Sequence, residues 1–320
     1  MSGAAAPARM PLEVAAAVPP ALARPPGGDQ LLLVVAVLAV STSGPLIAAC
    51  AAPPLAISFW RTAMASGLLV PTAVGRRGSR AELRRVGRRG GRSSLGAGVL
   101  LAAHFATWIP SITLTSVASA TALVAVQPAW VALLGRAQGQ HLPRIAWVGI
   151  AVAVCGAALI TGVDLTVSSR AVEGDLLALV GGMFAAAYVV VGGVARRTLS
   201  TTPYTAVCYL TCAAVLAVVC AAGRQPLTGF RAHDWLLLAA ITLGPQLLGH
   251  SVFNRVLRTT SATVVSLAIL FEVPGATALA WAWLGQVPSA LAAPGVLLLL
   301  VGIGIVVAAS RLSPRVELPD

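Results

Sequence analysis

ASATALVAVQPAWVALLGRAQGQHLP (residues 118–143) and SATVVSLAILFEVPGATALAWAWLGQVP (residues 261–288) follow one plan. Each opens with a run of about 20 small and aliphatic residues, the length a helix needs to cross a ~30 Å hydrocarbon core. Each carries a proline inside that run, Pro128 and Pro274, and each closes on Gly-Gln, Gly139-Gln140 and Gly285-Gln286. All three matches lie 146 positions apart. The same offset pairs His104 with His250, Asp29 with Asp175, and Gly28, Gly98, Gly149 and Gly156 with Gly174, Gly244, Gly295 and Gly302. Chance supplies some glycine matches in a chain this rich in Gly and Ala. It is a poor source of matched His, Gln, Asp and Pro at one shift. The chain therefore contains an internal duplication of a membrane-helix unit.

Working outward from these stretches, apolar runs recur along the whole chain. Hydrophobic residues make up 58% of it, charged residues 10%, and the mean hydropathy is +0.87. Soluble domains are roughly 45–50% apolar and about a quarter charged, so a soluble class is excluded. Ten spans are expected, near 31–51, 55–74, 95–115, 117–135, 145–163, 175–195, 204–222, 235–255, 262–284 and 290–309. The fold class is an all-α polytopic membrane protein with two five-helix repeats, at 30–163 and 174–310. Residues 1–29 read as a disordered cytoplasmic tail and 311–320 as a second tail. A cleaved signal ending at Ala21-Leu22-Ala23 is disfavoured, because Pro19 and Pro20 break its short apolar core and Glu13 precedes it.

The formal charge of +12 does not indicate a nucleic-acid partner. All 22 basic residues are arginines, and eight of them fall in one connection, RRGSRAELRRVGRRGGR (76–92). A basic connection between apolar spans is the mark of a cytoplasmic loop beside anionic lipid head groups. With the N-terminus inside, 18 of the 22 arginines face the cytoplasm, while Asp164, Glu173 and Asp234 fall outside. Both termini are then cytoplasmic. The lack of lysine beside abundant Ala and Arg points to a GC-rich bacterial genome, hence an inner membrane. An odd number of helices per half makes the second half enter from the opposite side, an inverted-topology repeat of the kind that builds two-state transporters.

The two quoted stretches, together with an arginine early in the second span (SFWRTAMASGLLVP, 58–71), resemble the EamA branch of the drug/metabolite transporter superfamily. The similarity covers about residues 30–310. The family's pattern usually places Glu after the closing glycine. Here that residue is Gln140 in one half and Gln286 in the other. The resemblance implies a functional monomer that moves small metabolites, often exporting amino acids or related compounds, by alternating access.

Ionisable residues at membrane depth are functional candidates by default. Glu272 stands two residues before Pro274, whose ring removes a backbone donor and loosens the preceding turn. It is expected either to couple transport to protons or another cation, or to make a structural bond to a neighbouring helix. His104 and Trp108 share a face at a spacing of four, as do Gln246, His250 and Asn254. Such polar stripes are costly against lipid and should face the interior. Each histidine can relay protons or simply join helices. Arg61 lies about 9 Å inside the outer end of its helix at 1.5 Å per residue. It can meet a substrate carboxylate, pair with Glu272, or snorkel outward beside Trp60. Gln127 and the Ser41-Thr42-Ser43 run ahead of Gly44-Pro45 are further cavity candidates.

No HExxH, GxSxG or P-loop pattern is present, so neither an enzyme nor a self-contained ATP-driven pump is expected. The cysteines, Cys208 and Cys212 included, lack the His or carboxylate neighbours of a metal site. No cofactor is expected. The expected partners are a small-molecule substrate, coupling protons and membrane lipids. A flippase for a lipid-linked intermediate and a non-transporting scaffold stay open at this stage.

Overall fold

The computed structural model describes residues 25–139, 142–161, 168–287 and 292–312. Most of the two expected tails, Gln140 and Asp164 lie outside the described residues. Among the described residues the chain is helical, without a strand. Its long helices are α1 (Gly27–Ala49), α2 (Pro54–Gly75), α3 (Arg88–Leu114), α4 (Val117–Ala137), α5 (Arg144–Thr161), α6 (Ser169–Arg196), α7 (Thr201–Ala222), α8 (Ala232–Val256), α9 (Ala262–Leu284) and α10 (Ala292–Leu312).

Ten spans are expected from the sequence. Among the described residues, seven helices are long and apolar enough to cross a bilayer: α1, α3, α4, α6, α7, α8 and α9. Helix α2 has the length, at 22 residues, but Ser58, Arg61, Thr62 and Ser66 dilute its apolarity. Helix α5 contributes the shorter apolar stretch Arg144–Gly156. The arginine-rich connection is also not a loop. Arg77–Arg85 is a helix, as its Arg, Ala, Glu and Leu content favours. It docks on the start of α7, where the Ser200 N–H donates to Glu82 Oε2 at 2.7 Å.

The helices pair across the two halves: α1 with α8, α2 with α7, α3 with α6, α4 with α9, and α5 with α10. Exchanging the halves turns the α1–α8 contact into α6–α3 and maps the other three pairs onto themselves. The contact set is therefore two-fold symmetric, as the 146-residue duplication implies. Polarity runs inside out relative to a soluble protein. Leu31, Leu38, Val218, Leu236 and Leu297 are exposed, while Arg61, His104, Gln127, Gln246, Asn254 and Glu272 are buried. Every backbone group at membrane depth must be bonded within the chain, and helices satisfy that requirement. Two apolar clusters result. The smaller joins α4, α5, α9 and α10, and the larger is built mainly on α1, α2, α3, α6, α7 and α8.

Close approach replaces the hydrophobic driving force that lipid removes. At the α5–α10 contact, a Cβ on Gly302 would overlap the backbone of Ala153, and one on Gly149 would lie 2.8 Å from the Gly302 carbonyl oxygen. Gly304, two residues along, faces open space. Gly302→Val is therefore expected to destabilise the protein by about 1–3 kcal/mol through overpacking, while Gly304→Val leaves stability unchanged. Thermal unfolding of the two variants in detergent compares them directly. Equal melting temperatures would mean that α5 and α10 are not in backbone contact.

Candidate functional site

The repeated prolines break two helices at equivalent places. In α4 the helix stops at Val124 and restarts at Gln127; in α9 it stops at Ile269 and restarts at Glu272. Pro128 cannot donate to the Val124 carbonyl, nor Pro274 to that of Leu270. The intervening turns tighten instead: Val126 N–H donates to Leu123 O and Val273 N–H to Leu270 O, both at 3.2 Å. Gly182 of α6 packs its bare backbone against the α4 break, where a Cβ would sit 2.8 Å from the Val124 oxygen. Glu272 thus opens a new helical segment, where the positive end of the backbone dipole favours a carboxylate. It forms neither an ion pair nor a hydrogen bond with another described residue.

Helix α1 is broken at Thr42, ahead of Pro45. The Ser41 and Thr42 hydroxyls turn back onto Val37 O and Ala39 O. Ser43 Oγ is buried without a partner among the described residues.

Helix α8 departs from α geometry over Thr242–His250, a π-helical segment containing Pro245. Such wide turns are uncommon and recur at functional sites. The Gln246 carbonyl accepts the Ser251 N–H, the Ser251 hydroxyl at 3.3 Å and the Tyr209 hydroxyl at 3.4 Å. The wide turn divides the stripe expected on one face. Gln246 turns to α2, where its Oε1 accepts from Arg61 Nε at 2.9 Å. His250 and Asn254 face a cavity, and Asn254 Nδ2 donates to the Tyr188 hydroxyl at 2.6 Å.

That cavity lies between the halves. It is lined by α1, α3 and α4 from the first and by α6, α8 and α9 from the second, together with Leu257 just past α8. Counted out to its open end, it takes in ≈ 570 Å³ of non-atom space, the solvent at its mouth included. Glu272, His104, Trp108, Gln127, His250 and Asn254 line it. His104 stacks on Trp108 with ring centroids 5.6 Å apart and lies 6.3 Å from the His250 ring. Its Nδ1 is 3.0 Å from the Gly181 carbonyl. A carbonyl only accepts, so Nδ1 carries hydrogen and Nε2 is the remaining nitrogen.

Three expected site residues are not in the cavity wall. Gln246 is fully buried behind it. Arg61 neither snorkels nor pairs with Glu272: it is 0% exposed, and its guanidinium lies 4.1 Å over the Phe105 ring. Among the described residues its two terminal nitrogens have no bonding partner. Trp60 turns away from the site, donating to Leu227 O at 2.7 Å and meeting Trp235 edge-on. Its indole N–H ties the connection after α7 to α2. Gln286, the departure in the family-like motif, meets the start of α4, its Oε1 3.3 Å from the Val117 nitrogen.

A comparison with protein families matches two copies of one family, described as the EamA-like transporter family, at residues 29–162 and 172–308. The chain belongs to the EamA-like transporter family. It is a multi-pass membrane protein of two EamA repeats, and the cavity lies where those repeats meet. A comparison with curated proteins finds no match. Among solved structures, one described only as the crystal structure of a protein is similar with a TM-score of 0.71 and 18% identity, over 89% of this chain and 98% of its own. That similarity concerns the fold alone.

Within this EamA pair of repeats, some cavity residues escaped the sequence reading. Tyr188 and Phe253 both line the site. A signal for Tyr188 existed. The chain has three tyrosines, Tyr188, Tyr204 and Tyr209, all inside apolar helices and all buried, and a buried phenol needs a partner. Gln246→Leu is expected to leave the Arg61 guanidinium without its remaining side-chain acceptor. The cost should be roughly 1–3 kcal/mol of stability, seen as a lower melting temperature in detergent. An unchanged melting temperature would show that the Arg61–Gln246 bond contributes nothing.

Proposed function

We propose that this EamA-family protein is a secondary active transporter that carries small metabolites across a bacterial inner membrane, working as a monomer by alternating access. One observation carries the reading. A cavity lies at the junction of the repeats, lined by the first, third and fourth helices of each half, with Glu272 at a helix break on its wall. A cavity shared by two-fold related elements is the geometry in which one half can rock against the other and open the site to each side in turn. The arginine distribution supports both termini on the cytoplasmic side and an inverted second half.

Glu272 is the proposed coupling group. It is buried, and among the described residues it has no bonding partner and is the only carboxylate on the cavity wall. An unpaired charge is costly at this depth, so the carboxylate gains by taking up a proton or a cationic ligand. Export, with proton entry as the driving step, follows as the proposed direction.

The test uses the purified protein and Glu272→Gln in liposomes, with lumenal pH recorded as pooled metabolites are added under a proton gradient. Substrate-dependent proton movement is expected in the native protein and is expected to vanish in the variant. Equal proton movement in both would remove Glu272 from the coupling role. Absence of any solute movement in the native protein would sink the transporter reading.

A further inference from the structure

Three residues of the cavity wall carry hydrogen-bond donors that no protein group meets. They are the Ser43 hydroxyl, the Trp108 indole N–H and the Gln127 side-chain amide nitrogen, and none of them bonds to another described residue. Their residues are only 2%, 3% and 3% exposed, so bulk water does not serve them. They come from three helices, α1, α3 and α4, and Ser43 and Gln127 each open the segment that follows a helix break. Packing gathers them around the α4 break. A Cβ on Gly181 of α6 would lie 3.0 Å from Trp108 Cβ, and one on the adjacent Gly182 would lie 2.8 Å from the Val124 oxygen at that break. A Cβ on Gly44, next to Ser43, would lie 3.3 Å from Thr121 Oγ1, about one turn before it.

A buried donor without an acceptor forfeits the bond it made in water, and folded chains leave few such groups. Three on one wall call for an acceptor from outside the chain. We propose that the cavity takes an uncharged amide or related carbonyl compound with an aromatic or apolar body, its carbonyl oxygen held by the donors of Ser43, Trp108 and Gln127. The proposal rests on the carrier reading above and narrows its substrate class. Other polar groups of the wall are already engaged. Asn254 Nδ2 donates to the Tyr188 hydroxyl, and His104 Nδ1 to the Gly181 carbonyl. His104 Nε2 and Glu272 remain on the wall to meet a ligand N–H.

Charge narrows the class. An ammonium group has no acceptor and would leave all three donors unmet. A carboxylate would accept from them, but it brings a full charge to a wall that holds Glu272 and, among the described residues, no arginine. Burying an uncompensated ion costs far more than burying a dipole. An amide oxygen offers two lone pairs and no charge, and Trp108, Tyr188 and Phe253 supply ring surface for the ligand body. The duplication places this oxygen site in the first half. By the 146-residue offset, Ser43, Trp108 and Gln127 correspond to Val189, Asn254 and Val273. Two of those carry no polar side chain, and the third is bonded to Tyr188.

Equilibrium binding to the full-length protein in detergent, followed by calorimetry, tests the proposal without requiring transport. The probes are benzamide, benzylammonium and benzoate, which share a ring and differ in the polar group. Benzamide should bind at least about tenfold tighter than either ion. Trp108→Phe, Gln127→Leu and Ser43→Ala each remove one donor, and each should weaken benzamide about three- to tenfold while leaving benzylammonium unchanged. A merely structural role would not separate the two probes. Where a variant does not fold, the ranking of the three probes on the native protein stands as the test. Benzoate or benzylammonium binding as tightly as benzamide would overturn the proposal, as would equal losses for benzamide and benzylammonium, or benzamide affinity unchanged in all three variants. If none of the probes binds, the amide class is overturned. The carrier reading falls only if the liposome assay also finds no solute movement.

Discussion

A carboxylate and a guanidinium at membrane depth have no solvent to turn to, and the chain's architecture answers that constraint. Neither Glu272 nor Arg61 reaches lipid: both are buried among helices whose outer faces carry Leu and Val. They are handled differently. Arg61 is bonded by Gln246 and lies over the face of Phe105. Glu272 is left unbonded, among the described residues, on the cavity wall. One group is held by partners, and the other is open to whatever enters. That difference gives the site a reason to bind something.

The backbone obeys the same constraint. Helix breaks inside a membrane are tolerated where the freed groups face protein or a cavity. The breaks in α1, α4 and α9 and the π segment of α8 all adjoin the cavity lining, through Ser43, Gln127, Glu272 and His250. Proline is present at each, as Pro45, Pro128, Pro274 and Pro245. The irregular backbone and the polar side chains are therefore one feature. Prolines open the ladder, and the opened turns place the groups that the ladder would otherwise have spread around the helix.

This explains what was legible in the sequence. The 146-residue offset, the mid-helix prolines and the paired histidines depend on residue type and spacing alone, and they lead to two repeats meeting at a polar centre. Six expected cavity residues lie in one wall because helical periodicity carries them there. Gln246 was misplaced because the rule of four assumes an α-helix, and the π segment violates it. Arg61 and Trp60 depend on tertiary partners, Gln246 with Phe105 and Leu227 with Trp235, which no local pattern encodes. The charge of the arginine-rich connection suggests a loop, although its composition also suits a helix, and its docking depends on Ser200, which is remote in sequence.

The duplication and the divergence of the two halves have separate consequences. What is repeated sets geometry: His104 with His250, Pro128 with Pro274, and the α1–α8 contact with α6–α3. What is not repeated sets chemistry. At positions equivalent by the 146-residue offset, Trp108 corresponds to Asn254, Val126 to Glu272, and Ser43 to Val189. A fully symmetric site would hold two acids or none. Two carboxylates in one small cavity would compete for a proton, and none would leave the fixed charge of Arg61 unanswered. A single acid from one half stands among rings from both, so a symmetric frame carries an asymmetric lining. The duplicated frame sets where the cavity lies, and the divergent positions set which groups line it.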